Sequence, residues 1–145
     1  MTALRVTALD PDNLGGLRDA LAASGLPVAD LVDSNRAFFR FDNDAGLVGY
    51  GGLEGHGADR LLRLLLVVAD RRGDGLGRAM LGLLEARARK LSVARLHLLT
   101  NTAAPFFTAN SYAAADRATA PASIAGSREF TALCPASAAY LVKAL

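Results

Sequence analysis

With one cysteine among its 145 residues, the chain cannot close a disulfide on itself, and a reducing, cytoplasmic compartment is the expectation. That residue, Cys134 in the stretch LCPAS, reads as a small buried side chain. Long apolar runs are also missing. Leu61–Ala69 is the longest and Arg63 interrupts it, well short of the ~18 residues a membrane helix needs. The first ten residues, MTALRVTALD, lack the charged, apolar and cleavage regions of a signal peptide. An excess of either charge is absent: 16 basic against 14 acidic residues gives +2, too little to argue for a nucleic-acid surface. The two histidines, His56 and His97, have no cysteine or carboxylate at ligand spacing, so no metal site is read. No repeat, low-complexity tract or linker divides the sequence, and residues 1–145 are expected to form one domain.

The composition that remains is 52% apolar, enough for a real core in a chain of this size. Abundant Ala, Gly, Leu and Arg suggest a GC-rich bacterial genome. Leu4–Leu9 reads as a strand, and Asp10-Pro11 as a helix start with Asp at the cap and Pro at the first helical position. Leu14, Leu17 and Leu21 form the stripe of that helix, and Gly25 its stop; a second short helix is read at Val28–Ser34. Ala37–Asp42 and Leu47–Glu54 flank the turn signal DNDAG, a hairpin, and a turn at His56–Asp59 leads into a buried strand at Arg60–Val68. A helix follows to about Leu91 on a stripe of Leu76, Met80, Leu83, Leu84 and Leu91, then a strand at Arg95–Leu99. Thr102 can cap a helix reaching about Asn110; beyond Tyr112, Ala118–Gly126 reads as a short helix and Arg128–Leu133 as a last strand. This order predicts an α/β (α+β) fold on a mixed sheet.

The strongest motif is Arg72-Gly73-Asp74-Gly75-Leu76-Gly77, which joins a buried strand to a helix. Glycines admit a ligand close to the backbone, and the unpaired N–H groups of a helix start bind anions, phosphate above all. The loop is not a Walker A loop, having no Gly-Lys-Ser/Thr. It is not the dinucleotide fingerprint either, since Met80 stands at the third glycine position.

The segment resembles the pyrophosphate loop of the GNAT acetyltransferases, Arg/Gln-x-x-Gly-x-Gly/Ala, at Arg72, Gly75 and Gly77. The likeness takes in the preceding Val67-Val68 and extends to TNTAAPFFTANSY at Thr100–Tyr112, similar to the family's Asn-x-x-Ala-x-x-Phe-Tyr-x-x-x-Gly-Phe element. Segments LVGYGGLE (Leu47–Glu54), Leu62–Arg63, Leu98–Phe107 and LCPASA (Leu133–Ala138) further resemble small GNAT proteins of bacterial arsenic-resistance operons. The resemblance implies a mostly antiparallel sheet of six or seven strands flanked by helices, with a splay between two central parallel strands. It also implies acetyl-CoA as co-substrate, held by Val67, Val68, Arg72, Gly73, Asp74, Gly75, Leu76, Gly77, Arg78, Thr102 and Phe107.

Several positions depart from the family pattern. Asp74 puts a carboxylate beside the expected pyrophosphate, Asp70 replaces a proline, and Thr100 replaces an asparagine. Phe107 stands where a proton-donating tyrosine is common, so the acid role is vacant or passes to Tyr112, a phenol that can equally be core. Glu54 can act as a general base or as a hairpin residue. Arg63, in an apolar strand, must find an anion, either Glu54 or an acidic group on the substrate. Thr100 is a candidate for substrate contact. Arg87, Arg89 and Lys90 read as a solvated helix face.

The expected function is transfer of an acetyl group to the amine of a small, amino-acid-like molecule, by a monomer or homodimer without nucleic-acid or membrane partners. Resistance to arsenic or another toxic compound is the context that the resemblance implies. The alternative is a catalytically degenerate GNAT domain that senses acyl-CoA.

Overall fold

The computed structural model describes residues 3–10, 12–23, 36–73, 75–127 and 138–145. Among these residues, seven strands form one mixed sheet in the order β1-β2-β3-β4-β5-β7-β6. In chain order the elements are β1 (Arg5–Ala8), α1 (Gly15–Ala23), β2 (Arg36–Asn43), β3 (Gly46–Glu54) and β4 (Asp59–Val67). A single 3₁₀ turn at Ala69–Arg71 then leads to α2 (Leu76–Lys90), β5 (Arg95–Thr100), α3 (Ala104–Ala109) and β6 (Ala113–Ala114). Another at Arg117–Thr119 precedes α4 (Ala122–Ala125) and β7 (Ala139–Ala144). The expected α/β fold on a mostly antiparallel sheet is therefore present: β4 and β5 run parallel, while the pairs β1–β2, β2–β3, β5–β7 and β6–β7 are antiparallel. The parallel ladder holds over Asp59↔Arg95, Arg60↔Leu96 and Leu61↔His97, at the start of both strands. No helix among the described residues is long and apolar enough to cross a membrane.

The chain divides into two compact units. The first comprises residues 1–54 and 63–86. Its core sets Leu14, Leu17 and Leu21 of α1 against Phe38, Tyr50 and Leu66 from the sheet. Three glycines of β3 let neighbours approach. A Cβ on Gly52 would strike the Phe38 ring, and one on Gly51 would press on Phe41 and Leu84. One on Gly49 would run into the Leu66 carbonyl oxygen and crowd Met80. The start of α2 thus packs on a strip of bare backbone.

The second unit comprises residues 55–62 and 87–145. Here β5 lies antiparallel to β7, from Arg95↔Ala144 to Thr100↔Ala139, and Leu99, Ala138 and Tyr140 pack with Ala120 and Val142. Phe107 of α3 meets Tyr112 edge to face, centroids 5.4 Å apart.

Four sequence expectations need correction. Helix α1 starts at Gly15 rather than at Asp10, because the Asp10 carbonyl accepts the Asn13 N–H in a tight turn and the helical bond Arg18 N–H to Leu14 O follows. The buried apolar positions of α2 are Met80, Leu81, Leu84 and Ala88, joined by Glu85, whereas Leu91 is 41% exposed, just past the helix end. Thr102 does not cap α3: the cap is Ala103, whose N–H donates to the Thr100 hydroxyl at 3.0 Å. Strands β6 and β7 were not expected: β6 is two alanines, and in β7 only Tyr140–Val142 has strand preference, a run too short to stand out between alanines. The readings at Gly25, Val28–Ser34, Arg128–Leu133 and Cys134 lie outside the described residues.

Gly49→Ala should lower stability by about 1–3 kcal/mol, because backbone blocks the new methyl. Gly82→Ala, mid-helix in α2 with open space around it, should raise stability by about 1 kcal/mol. Urea denaturation of the two variants checks both signs.

Candidate functional site

The glycine loop occupies the expected place, between β4 and α2 in the first unit. Gly73 (φ +92°) and Gly75 (φ +73°) are in the left-handed region, where β-branched residues are not tolerated, and beyond the chain neighbours nothing lies within 4 Å of a Cβ built on either. The Ala79 N–H donates to the Gly75 carbonyl, the first bond of α2. The amides of Leu76, Gly77 and Arg78 therefore precede the helical ladder and lie at the positive end of its dipole. Asp74 is outside the described residues.

Two arginines hold the start of this loop. Arg72 donates from Nε to the Val67 carbonyl at 2.9 Å. Arg71 reaches back to the β2–β3 hairpin, donating from Nη1 to the Leu47 carbonyl (3.1 Å) and from Nη2 to Asn43 Oδ1 (2.8 Å). Asn43 Oδ1 also accepts the Ala45 N–H, which fixes the turn. Of the two valines named for cofactor contact, Val68 donates its N–H to the Val48 carbonyl, while Val67 supplies the oxygen for Arg72. A pocket of about 270 Å³ opens nearby, lined by Ala20, Ala23, Leu66, Val68, Ala69 and Arg72.

Also in the first unit, Arg63 and Glu54 come together, as one of the two sequence readings required. Arg63 Nε lies 3.4 Å from Glu54 Oε1, and Arg36 Nη2 lies 3.2 Å from the same oxygen. All three side chains are largely buried, with 13% exposure at most. Arg36 was not foreseen. It stands opposite Glu54 through a register shift between Phe41 and Asp42.

The second unit holds the remaining candidates. The Thr100 hydroxyl accepts the Ala103 N–H, and Thr102 is exposed. Phe107 and Tyr112 are buried against each other, and Lys143 Nζ sits 5.6 Å from the Tyr112 ring centroid while donating to the Asn110 carbonyl.

A chain of polar groups in this unit, running from the exposed Arg95 to the buried His97 and Tyr140, escaped the sequence reading. Asp59 Oδ1 accepts from Arg95 Nε at 2.7 Å, and Oδ2 accepts from Arg95 Nη2 at 3.1 Å. His97, 2% exposed, places Nε2 2.7 Å from Asp59 Oδ1 and Nδ1 2.7 Å from the Tyr140 hydroxyl. With Asp59 ionised, Nε2–H donates to it and Nδ1 accepts from Tyr140, so the neutral ring is satisfied at both ends. The Arg95 hydrogen bond is the main cause holding the Asp59 carboxyl below its ordinary value. Burial, followed by the Asp59 charge, pushes the Tyr140 phenol up. The only advance signal was the i, i+2 spacing of Arg95 and His97 on one strand.

Comparison with known proteins places this geometry. The model of the acetyltransferase (GNAT) family matches residues 12–110, well over half of the chain. Among solved structures, N-acetylglutamate synthase from Neisseria gonorrhoeae, complexed with coenzyme A and N-acetyl-glutamate, superposes with a TM-score of 0.77 at 17% identity. That match covers 100% of this chain but 36% of the synthase, and a second complex of the synthase, with coenzyme A and L-arginine, is covered to 34%. A Mycobacterium tuberculosis protein in complex with CoA and NLQ gives a TM-score of 0.75 at 17% identity, covering 97% of this chain and 99% of that one. An acetyltransferase from Thermus thermophilus gives 0.70 at 20% identity, covering 99% and 97%. No curated protein matches the chain by sequence. At these identities the structural likeness speaks for the fold.

The polar chain sets a pH dependence. Because the folded carboxyl titrates below its ordinary value of 3.8, Asp59 stabilises the fold fully above that value. Its contribution is lost as pH falls through the lowered folded value. Asp59→Asn should therefore cost about 1–3 kcal/mol at neutral pH, and the gap to wild type should close in strong acid. Thermal melts across pH 2–7 read it.

Proposed function

The chain belongs to the acetyltransferase (GNAT) family, and we propose that it acts as one acyltransferase domain, moving an acetyl group from acetyl-CoA to the amine of a small, amino-acid-like acceptor. The observation that carries this reading is the loop from Arg71 to Arg78: two left-handed glycines with open space above them, run into the first amides of a 15-residue helix. That arrangement fits a pyrophosphate group, which needs close backbone approach and several donors with no side chain in the way. The residues that would hold it are Gly73, Gly75, Leu76, Gly77 and Arg78. Arg72, tied to Val67, shapes the turn rather than covering it.

A thioester brings an acyl group already activated for attack, so the chain's task is largely one of position and charge. Arg63 is the group that would meet an acidic acceptor. Its Nε is oriented by Glu54, so the planar fork has a fixed direction within the leucine run Leu61–Leu66. In this reading Glu54 serves as a positioning residue for Arg63, since its Oε1 also faces Arg36. Tyr112, 2% exposed and packed on Phe107, serves the core of its unit, and protons return to the departing thiolate from solvent. The acceptor class extends to phosphinic and arsenical analogues of amino acids, in keeping with the resemblance of LVGYGGLE and LLTNTAAPFF to arsenic-operon proteins. The absence of a hydroxyl at Phe107 favours one second reading, an acyl-CoA-binding sensor without turnover. Binding of CoA with no acetylation of any amine in a broad panel would select it.

Two measurements test the proposal. Gly75→Val forces a β-branched residue to φ +73°, a strain of roughly 1–2 kcal/mol, and should abolish CoA binding while the protein stays folded. Unchanged affinity by calorimetry overturns the loop assignment. Arg63→Lys should raise the apparent KM for acidic amino compounds about tenfold or more with a smaller change in kcat, because a point charge cannot replace the fork. Equal turnover of an amino acid and its amide by the wild type rules out the Arg63 contact.

A further inference from the structure

The loop is flanked by two adjacent guanidiniums whose hydrogen-bond partners are all neutral. Arg71 donates to the Leu47 carbonyl and to the amide oxygen of Asn43, and Arg72 donates to the Val67 carbonyl. Among the described residues neither is in a salt bridge. This is not for want of acids nearby in sequence. Asp42 and Asp44 flank Asn43, but they face Arg5 and Arg40 instead, at 3.0–4.0 Å. Asn43 is 7% exposed and is the only one of these three hairpin residues that reaches Arg71.

An aspartate at position 43 would offer Arg71 the same acceptor geometry with a charge in addition, and an arginine is ordinarily better held by a carboxylate than by an amide. The neutral clasp does something a salt bridge would not: it fixes the guanidinium in direction while leaving its positive charge in force. That charge sits two residues before Gly73, at the start of a loop already suited to phosphate by its amides and by the α2 dipole.

We propose that the Asn43–Arg71 clasp is an electrostatic positioning device, holding an un-neutralised cation beside the glycine loop so that the loop binds the pyrophosphate of CoA. The inference rests on the reading of the loop given above and adds residues outside the loop itself. Asn43 sets the strength of the site from the tip of the β2–β3 hairpin, and Arg71 acts through the field it places on the phosphates.

The test separates charge from geometry. Wild type, Asn43→Asp, Arg71→Lys and Arg71→Gln are compared by calorimetry with CoA, inorganic pyrophosphate and pantetheine, at low and moderate salt, with melting temperatures measured alongside. Asn43→Asp keeps the clasp and neutralises it. It should melt at or above wild type yet bind CoA and pyrophosphate roughly three- to tenfold more weakly, with the difference shrinking as salt rises. Arg71→Lys, which keeps the charge and loses the fork, should retain most of the affinity, and Arg71→Gln should lose as much as Asn43→Asp or more. Pantetheine, which carries no phosphate, should not distinguish Asn43→Asp from wild type. If Asn43→Asp binds CoA as wild type does, or if Arg71→Lys and Arg71→Gln are equally impaired, the clasp is purely geometric and the proposal is overturned. Failure of the wild type to bind CoA or pyrophosphate would instead overturn the loop assignment, and the present inference with it.

Discussion

The chain leaves β4 and enters α2 through two glycines in the left-handed region, a turn other residues adopt only with strain, and the first unit holds it from both flanks. Glycine at positions 73 and 75 supplies the left-handed turns, but glycine is also the residue that loses most conformational freedom on folding. Order has to come from the flanks. Arg71 ties the 3₁₀ turn to the hairpin tip, Arg72 folds back on Val67, and α2 is seated by Met80 and Leu84 against the bare backbone of Gly49 and Gly51. The three β3 glycines in the stretch GYGG therefore belong to the loop's support, although they lie more than twenty residues before it. A bulkier β3 would hold α2 off the sheet.

Much of this architecture was legible because its signals are local. The Asp-Asn-Asp-Ala-Gly turn, the apolar run broken by Arg63, and the glycine cluster before a helical stripe each announce their element within a few residues. What went unread depends on contacts between distant segments. A helix start at Asp10 is locally well formed, yet burial of Leu14, Leu17 and Leu21 is achieved by a helix that begins at Gly15. Leu91 continues the helical period on paper and is exposed, because Lys90 ends the helix. Strand β7 offers only the short run Tyr140–Val142 between alanines, and its place is set by pairing with β5.

The candidate site shows the same division. That Arg63 would face either Glu54 or a substrate anion followed from the cost of an isolated charge in an apolar strand, and Glu54 is indeed beside it. Arg36 could not be placed by the same reasoning. Counting a regular hairpin back from Asn43↔Gly46 puts Arg36 opposite Leu53, and only the one-residue shift between Phe41 and Asp42 brings it to Glu54. A single extra residue in a strand is invisible to periodicity and decides which charges meet. The Asp59–His97–Tyr140 chain was hidden for another reason: its members come from three strands separated by about forty positions each, and no motif unites them.

The short parallel ladder of β4 and β5 has a bearing on how the chain reaches its fold. Its first pair, Asp59 and Arg95, lies 36 residues apart, whereas Asn43 and Gly46 meet across a turn of two. Closing the longer loop carries the greater entropic cost, and parallel strands cannot pair until the crossover between them has compacted. The hairpin is therefore the natural early event, and the encounter of β4 with β5 a late one that waits on α2. A parallel pair that meets late can close out of register, and a slip of one residue would turn every side chain to the opposite face. The bidentate Arg95–Asp59 contact, with His97 on the same carboxylate, has one geometry, and it gives a slow encounter a means of recognising its correct alignment.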